Sequence, residues 1–397
     1  MDNSIQKSQP KKKLRIAIEA QRLFRPHKHG MDIAILEIIR AMQQLDTFNE
    51  YFILVKKDKD VCIDETPNFH IVYIEGRNYP EWEQRSLPRW VRRNHPDLLH
   101  CTSNTAPLKV GCPLVLTLHD VIFLTSKNLL SSKGGSPYQR FGNLYRRIVA
   151  TKVVNRAAAI FTVSYYQKEA IASTLKVPHS KISVIYNGVS PAFFEKAIPE
   201  KKQEVRKRYN LPNRFLLYFG STEPRKNLAR VLQAYSLLLE KKEDTTPNLV
   251  IKGISADYLK KNLHLLSLTN IEDRITLIDY IHSNDLPVVY QLSEMLLFPS
   301  LSEGFGIPII EAMASKVPVI TSNVTSMPEV AGDAAVLVDP HSAQSIADAA
   351  ELLLTNENLR EILIEKGYSR AERFTWENSA KIVNDGYLHV INELRKT

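Results

Sequence analysis

Residues 297–314 read LFPSLSEGFGIPIIEAMA. The apolar run into Pro299 and Ser300 predicts a short buried strand, SLSEGFG a loop, and Pro308 the opening of a helix from about 306 to 315. Proline suits a first helical turn because its missing N–H would have had no partner there. A strand that passes through a loop into a helix is the repeating unit of a parallel sheet covered by helices. Glu303 falls on the loop at the carboxyl end of the strand, and Glu311 at about the second helical turn. Gly304 and Gly306 allow backbone amides to approach a ligand closely. A helix N-terminus suits a phosphate or polyhydroxyl ligand, and two carboxylates can bind the hydroxyls of a ribose and a sugar. Taken alone, Glu303 reads equally as a plain loop residue and Glu311 as a solvated helix residue.

The same alternation extends in both directions. Upstream, LRIAIEA (14–20), YFILVKK (51–57), FHIVYIE (69–75), DLLHCT (97–102), PLVLTLHD (113–120), AIFTVS (159–164) and ISVIYNGV (182–189) are short apolar runs bounded by turn residues. Residues 190–213 break the pattern with Pro191, Pro199 and Pro212 around a charged helical segment, which reads as a domain connection. A second series follows: RFLLYFG (214–220), NLVIKG (248–253), RITLID (274–279), MLLFPS (295–300), VPVITS (317–322) and AAVLVD (334–339), with helices between them and at the end. The expected fold class is α/β, with two Rossmann-like parallel-sheet domains facing a cleft. The expected segments are a basic tail at 1–13, an N-terminal domain at 14–193, a C-terminal domain at 194–375 and a last helix at 376–397. In open sheets of this kind ligands sit beyond the carboxyl ends of the strands.

Composition narrows the function. The 397 residues are 44% hydrophobic and 24% charged, an ordinary globular balance that excludes a disordered or collagenous chain. Neither an 18-residue apolar run nor an apolar stretch behind the N-terminal lysines is present, so neither a transmembrane helix nor a secretory signal is expected. Cys62, Cys101 and Cys112 lack CxxC spacing, which argues against disulfides and zinc and for a reducing, cytoplasmic setting. Residues 1–193 carry 28 Lys/Arg against 16 Asp/Glu, and the remainder 24 against 27. The basic excess is densest in 101–193 and suggests an anionic partner, although a solvated basic surface accounts for it as well.

Three further stretches carry chemistry. In LYFGSTEPRKNL (217–228) a strand ends at Gly220 and Arg225 and Lys226 open a helix, a suitable diphosphate site; a solvated helix cap is the plain alternative. In TLHDVIF (117–123) His119 follows an apolar strand directly and can touch a ligand or simply bond to backbone or Asp120. In EAQRLFRPHKHGMD (19–32) Gly30 precedes a helix, but the stretch is not GxGxxG and is a poor dinucleotide fingerprint.

Together these stretches resemble the retaining glycosyltransferases of family four, which have the GT-B fold. The E-x7-E arrangement of Glu303 and Glu311 is the most specific element. The resemblance also covers WEQRSLP (82–88), FTVSYYQKEAI (161–171), VIYNGV (184–189), residues 318–340 and RFTWENSA (373–380), essentially the whole chain after residue 14. It implies transfer of a sugar from a nucleotide-sugar donor with retention of anomeric configuration. Arg225 and Lys226 would hold the diphosphate and stabilise the departing nucleotide. Glu311 would accept from the ribose hydroxyls and Glu303 would bind a hydroxyl of the donor sugar. Amides of Gly304, Phe305 and Gly306 would support sugar and phosphate, with Gly220 at the strand end. His119 would reach the donor sugar, and Gly30 would approach the diphosphate. Many members carry Gly-Gly where this chain has His29-Gly30. Glu329 lies in a run that the family places near the nucleotide. Front-face attack, in which the leaving phosphate takes the acceptor proton, is the expected route; Glu303 as nucleophile is the alternative. No metal and no cofactor are expected. The final helix is expected to cross back to the N-terminal domain.

The expected acceptor is a saccharide or lipid-linked saccharide of a cell-surface glycan such as lipopolysaccharide, and the lead donor is GDP-mannose. UDP-hexoses and UDP-N-acetylhexosamines stay open. In 124–149, Lys127, Lys133, Arg140, Arg146 and Arg147 interleave with Leu129, Leu130, Tyr138, Phe141 and Tyr145, and Trp90 lies among Arg89, Arg92 and Arg93. That pattern suits an anionic membrane surface, hence a peripheral location, or else a helix with a buried stripe and a solvated basic face. A phosphorylase would need a pyridoxal-phosphate lysine that no motif marks, and epimerase-like members use a different residue set. A nucleic-acid-binding protein lacks any recognition signature here. A non-catalytic member of the fold, binding an anionic polymer or acting as a scaffold, is the remaining alternative; the retained Glu303, Glu311, Arg225, Lys226 and His119 argue against it.

Overall fold

The computed structural model describes residues 12–125 and 137–396. Most of the N-terminal tail, and Lys127, Leu129, Leu130 and Lys133, lie outside the described residues, as do the side chains of Tyr138 and Arg140. The chain divides into two compact units. One comprises Met1–Thr162, Ala170–Ile185 and Ala380–Thr397; the other comprises Val163–Glu169 and Tyr186–Ser379. Residues 186–193 and the short piece Val163–Glu169 thus cluster with the second unit.

The first unit holds seven parallel strands: β1 (Arg15–Glu19), β2 (Glu50–Val55), β3 (Phe69–Tyr73), β4 (Leu98–Cys101), β5 (Leu114–Thr117), β6 (Ala159–Thr162) and β7 (Ile182–Val184), in the order β3-β2-β1-β4-β5-β6-β7. The second holds β8 (Phe215–Phe219), β9 (Asn248–Lys252), β10 (Ile275–Ile278), β11 (Met295–Phe298), β12 (Val319–Ser322) and β13 (Val336–Val338), in the order β10-β9-β8-β11-β12-β13. Each order reverses direction once, between β1 and β4 and between β8 and β11, which makes both sheets doubly wound.

The strands read as unbroken apolar runs because both faces are covered. Along β8, Phe215 and Leu217 enter one core, while Leu216 and Tyr218 enter the other. On β11, Leu296 and Phe298 share the first core, and Met295 and Leu297 the second. The helix Ile307–Ala314 supplies Ile309, Ile310 and Met313 to the first, and the helices Leu228–Lys242 and Ala343–Thr355 supply Val231, Leu232 and Leu353 to the second. Each fully buried aliphatic side chain contributes about 1.5–3 kcal/mol.

The last helix runs from Trp376 to Lys396, and its residues from Ala380 onward belong to the first unit. There Tyr387 packs edge-on against His100 and Phe161, with its hydroxyl 2.6 Å from His100 Nδ1. A Cβ at Gly386 would come within 2.5 Å of the Phe161 ring, so only glycine lets this helix sit so near β6. The expected return of the final helix to the first domain is therefore present.

Candidate active site

The loops that leave β8 and β11, the strands at the switch point of the second sheet, bear Arg225, Lys226 and Glu303. After β8, Gly220 donates its N–H to the Lys252 carbonyl at 2.8 Å, and a Cβ there would meet Ile251 and Ile254 at 3.0 and 3.1 Å. Gly220 thus holds β8 close to β9, and its amide is not available to a ligand. Arg225 and Lys226 do not open the helix as expected. They form a single 3-10 turn, Pro224–Lys226, which Asn227 separates from the helix Leu228–Lys242. Asn227 is left-handed (φ 70°), a conformation asparagine tolerates. Its buried amide donates to the carbonyls of Pro299 (2.8 Å) and Pro340 (2.7 Å). Leu301 donates to the Arg225 carbonyl at 2.7 Å. The two loops are therefore fastened to each other by the Asn227 side chain and by one backbone hydrogen bond.

Glu303 lies between the two cations. Its carboxylate is 2.7 Å from Arg225 Nη1 and 2.6 Å from Lys226 Nζ, and the residue is 7% exposed. Burial pushes a carboxyl up, but the neighbouring Lys226 and Arg225 charges outweigh it and hold Glu303 below its ordinary value. Arg225 Nε is also 2.6 Å from the exposed Glu223. Lys226 Nζ lies 5.1 Å from the Phe298 ring centroid.

The chain then passes Gly304, Phe305 and Gly306. The Gly304 carbonyl accepts from Ser164 Oγ at 2.8 Å, and the Phe305 carbonyl from Ser326 Oγ at 3.0 Å. The Phe305 ring is buried against Tyr186 and Phe374. Gly306 has φ +106°, which an L side chain rarely adopts, and caps the helix Ile307–Ala314. Among the described residues no acceptor meets the N–H groups of Gly304, Phe305 and Gly306. Three backbone donors beside a paired carboxylate suit a ligand rich in oxygen.

Glu311, on that helix, has a different environment. It accepts from the buried Tyr290 hydroxyl at 2.8 Å and has no ion pair among the described residues. Burial pushes its carboxyl up to about 7, against the opposing effects of the Tyr290 hydrogen bond and the Lys252 charge. Tyr290 and Lys252 carried no signal of their own in the sequence. Glu329 accepts from the backbone N–H groups of Tyr165 (2.7 Å) and Tyr166 (2.9 Å), and so caps the helix Tyr165–Leu175.

In the first unit His119 follows β5, as expected. Its Nε2 lies 3.0 Å from the Thr102 carbonyl, which can only accept, so the proton sits on Nε2 and Nδ1 is left as an acceptor. Burial pushes His119 down to about 4, so it is neutral at pH 7. Gly30 is not a loop residue: it is the first residue of the helix Gly30–Leu45, whose start is closed by Asp32 accepting from the His29 N–H at 2.8 Å. Asp32 is also paired with Arg25. Among the described residues no three His, Cys, Asp or Glu side chains group as metal ligands.

Two family models divide the chain between them: Glycosyltransferase Family 4 over residues 29–193 and Glycosyl transferases group 1 over residues 200–370. The O-antigen chain mannosyltransferase B of Escherichia coli is 34% identical over 291 residues, 73% of this chain and 74% of that protein. The chain belongs to the group 1 glycosyltransferases. As a glycosyltransferase it is also similar to the serotype-specific mannosyltransferase WbdA of Escherichia coli, 28% identical over 300 residues; that match covers 74% of this chain but spans about a third, 35%, of WbdA. Its fold is that of HepE from Anabaena, solved in complex with UDP and glucose, with a TM-score of 0.70 at 18% identity over 95% of this chain and 100% of that one. Both sheets of the glycosyltransferase thus follow the GT-B pattern expected from its sequence. Among the described residues no helix is long and apolar enough to cross a membrane.

Proposed function

We propose that the enzyme transfers a hexose, with mannose from GDP-mannose as the lead, to a saccharide or lipid-linked saccharide in cell-surface glycan synthesis, retaining the anomeric configuration. One observation carries this reading: Glu303 buried between Arg225 and Lys226 at the switch point of the second sheet. The two cations hold the donor diphosphate and balance the charge that develops as it leaves. Glu303 keeps them in place and accepts from a donor-sugar hydroxyl, the amides of Gly304, Phe305 and Gly306 support sugar and phosphate, and Glu311 accepts from the ribose. His119 offers Nδ1 to a sugar hydroxyl. No metal is required for this charge balance. Mannose and the glycan context are supported by what the two similar Escherichia coli proteins are named for.

Retention follows from front-face attack. The acceptor oxygen bonds to C1 on the side from which the diphosphate departs, the C1–O bond to phosphate breaks, and the acceptor proton passes to a phosphate oxygen. Glu303 is a poor nucleophile, because both of its oxygens are engaged by cations that lower its basicity. The acceptor belongs to the first unit. There Phe141, Leu144 and Ile148 are exposed along the helix Pro137–Val153 beside Arg147 and Lys152, a face suited to a lipid-linked acceptor at an anionic, cytoplasmic membrane surface. The test incubates the purified enzyme with GDP-mannose, UDP-glucose and UDP-N-acetylglucosamine and a lipid-linked saccharide extract, and reads the product's anomeric configuration by NMR. An α-mannoside from the α-linked donor is expected. An inverted linkage, or transfer from none of the three, overturns the reading.

A further inference from the structure

One ammonium at these strand ends has neither a hydrogen-bond acceptor nor an ion-pair partner among the described residues. Lys252 closes β9, in register with Phe219 of β8 on one side and Ile278 of β10 on the other. Its Nζ lies 5.9 Å from the Phe219 ring centroid. Among the described residues no oxygen accepts a hydrogen bond from it and no carboxylate pairs with it. Phe219 in turn lies 5.5 Å from the Tyr290 ring, whose hydroxyl holds Glu311. Lys252 is half-buried, and a half-buried ammonium without an acceptor is costly unless something supplies one. Asp279 follows β10 directly, is exposed, and also lacks a hydrogen-bond or ion-pair partner among the described residues. Glu311 and Asp279 are the two carboxylates whose charges act on Lys252.

Across the sheet, Glu303 follows β11, Arg225 and Lys226 follow β8, Lys252 ends β9 and Asp279 follows β10. Strands are spaced ~4.8 Å apart, so Asp279 lies about two spacings, ~10 Å, beyond the strand that bears the cations. A nucleotide whose diphosphate rests on Arg225 and Lys226 and whose ribose meets Glu311 brings its base over β9 and β10. A lysine can only donate and a carboxylate only accept. Side by side they complement a ring carbonyl next to a ring N–H, the lactam edge of guanine or uracil. Adenine and cytosine present the reverse, an amino donor next to a ring-nitrogen acceptor. Guanine adds a 2-amino donor for the carboxylate.

We infer that Lys252 and Asp279 read the nucleobase of the donor, Lys252 donating to the ring carbonyl and Asp279 accepting from the adjacent ring N–H, so that the site selects keto bases and guanine first. This rests on the nucleotide-sugar reading of the same site. The test is isothermal titration of the full chain with GDP, IDP, UDP, ADP and CDP, in wild type and in Lys252→Met, Lys252→Arg and Asp279→Ala, with a melting curve to confirm folding. Wild type is expected to bind GDP at least ~10-fold more tightly than ADP or CDP. Lys252→Met and Asp279→Ala are expected to bring that ratio toward one, while Lys252→Arg keeps it. A preference for GDP over IDP that disappears in Asp279→Ala assigns the 2-amino group to the carboxylate; equal GDP, IDP and UDP affinities that fall together relative to ADP leave the lactam edge as the element read. Equal weakening of all five nucleotides in Lys252→Met would show a phosphate grip and overturn the inference, as would unchanged ratios or a wild-type preference for ADP or CDP. Wild type that binds none of the five refutes the nucleotide-sugar reading itself, a distinct result.

Discussion

The two sheets reverse direction at equivalent places, yet the buried glutamates beside the two switch points are pushed in opposite directions. At the first, Glu83 is fully buried, and it is surrounded by hydroxyls and an amide: Tyr79 at 2.9 Å, Gln84 Nε2 at 2.7 Å, and the hydroxyls of Thr105 and Tyr145. Glu19, at the end of β1, accepts from the N–H groups of Gln21 (3.0 Å) and Thr102 (3.1 Å). Burial pushes both carboxyls up. At the second, Glu303 is just as enclosed but is met by two cations and held down. The same strand order therefore supplies position only. What a switch point can do depends on the groups its loops set beside the buried carboxylate, and only at the second do two cations meet one glutamate, the arrangement proposed above to hold a diphosphate.

Removing one of those charges gives the largest expected effect. Lys226→Met leaves Glu303 buried with Arg225 alone and removes half of the positive charge offered to the leaving group. Loss of a preorganised charged contact costs about 10²–10³-fold in rate. Steady-state transfer assays should show the loss in kcat with the sugar donor saturating. A rate equal to wild type would mean that the cationic switch point is not where the chemistry occurs.

Next in size is the first switch point. Glu83→Ala takes the acceptor from four donors, and unsatisfied buried polar groups cost about 1–3 kcal/mol each, so a total near 3 kcal/mol after relaxation is expected. Glu83→Gln, which keeps one acceptor oxygen, should cost about 1 kcal/mol. Urea unfolding measures both. Nucleotide affinity should stay at the wild-type value in Glu83→Gln; a fall would mean that the first switch point also takes part in holding the donor.

The contrast explains what could be read in advance. Buried parallel strands are apolar on both faces, so runs such as MLLFPS and NLVIKG stand out in the sequence, and the two-domain alternation with them. Glu303 was legible because glycines and a proline mark the loop and helix around it. The ends of elements were less so: ISVIYNGV yields a strand only over Ile182–Val184, and the left-handed Asn227 detaches Arg225 and Lys226 from the helix that follows. Gly30 reads as a loop glycine because a helix start and a turn share the same composition. Tyr290, Lys252 and the partners of Glu83 were not legible at all. Each matters through what the fold sets beside it from a distant part of the chain, and no local pattern encodes that.

The two glutamates of the second site differ from each other as well, which gives the next smaller prediction. Burial pushes Glu311 up to about 7, whereas Lys226 and Arg225 hold Glu303 below its ordinary value. If ribose hydroxyls donate to Glu311, its ionised form binds, so GDP affinity should fall about tenfold for each unit of pH below 7 and level off above it. The sign for stability is the opposite. The folded protein keeps a proton on Glu311 that the unfolded chain, ionising near 4.5, gives up, so this group's contribution to stability is complete below about 4.5 and is lost as pH rises toward 7. Titration calorimetry and melting curves from pH 5.5 to 8.5 read the two trends; Glu311→Gln should flatten both.

The smallest expected effect isolates one hydrogen bond. Tyr290→Phe preserves the ring that packs on Phe219 and Phe193 but removes the O–H that Glu311 accepts. A hydrogen bond to the ionised form is part of what lowers this carboxyl, so its loss should raise the Glu311 midpoint by up to about one pH unit. At pH 7 more of the protein is then protonated at Glu311, and GDP binding should weaken several-fold, whereas at pH 8.5 it should approach wild type. Recovery at high pH separates this outcome from a packing defect, which would weaken binding equally across the range. A midpoint that does not move would assign the high pKa to enclosure alone and leave Tyr290 as a packing residue.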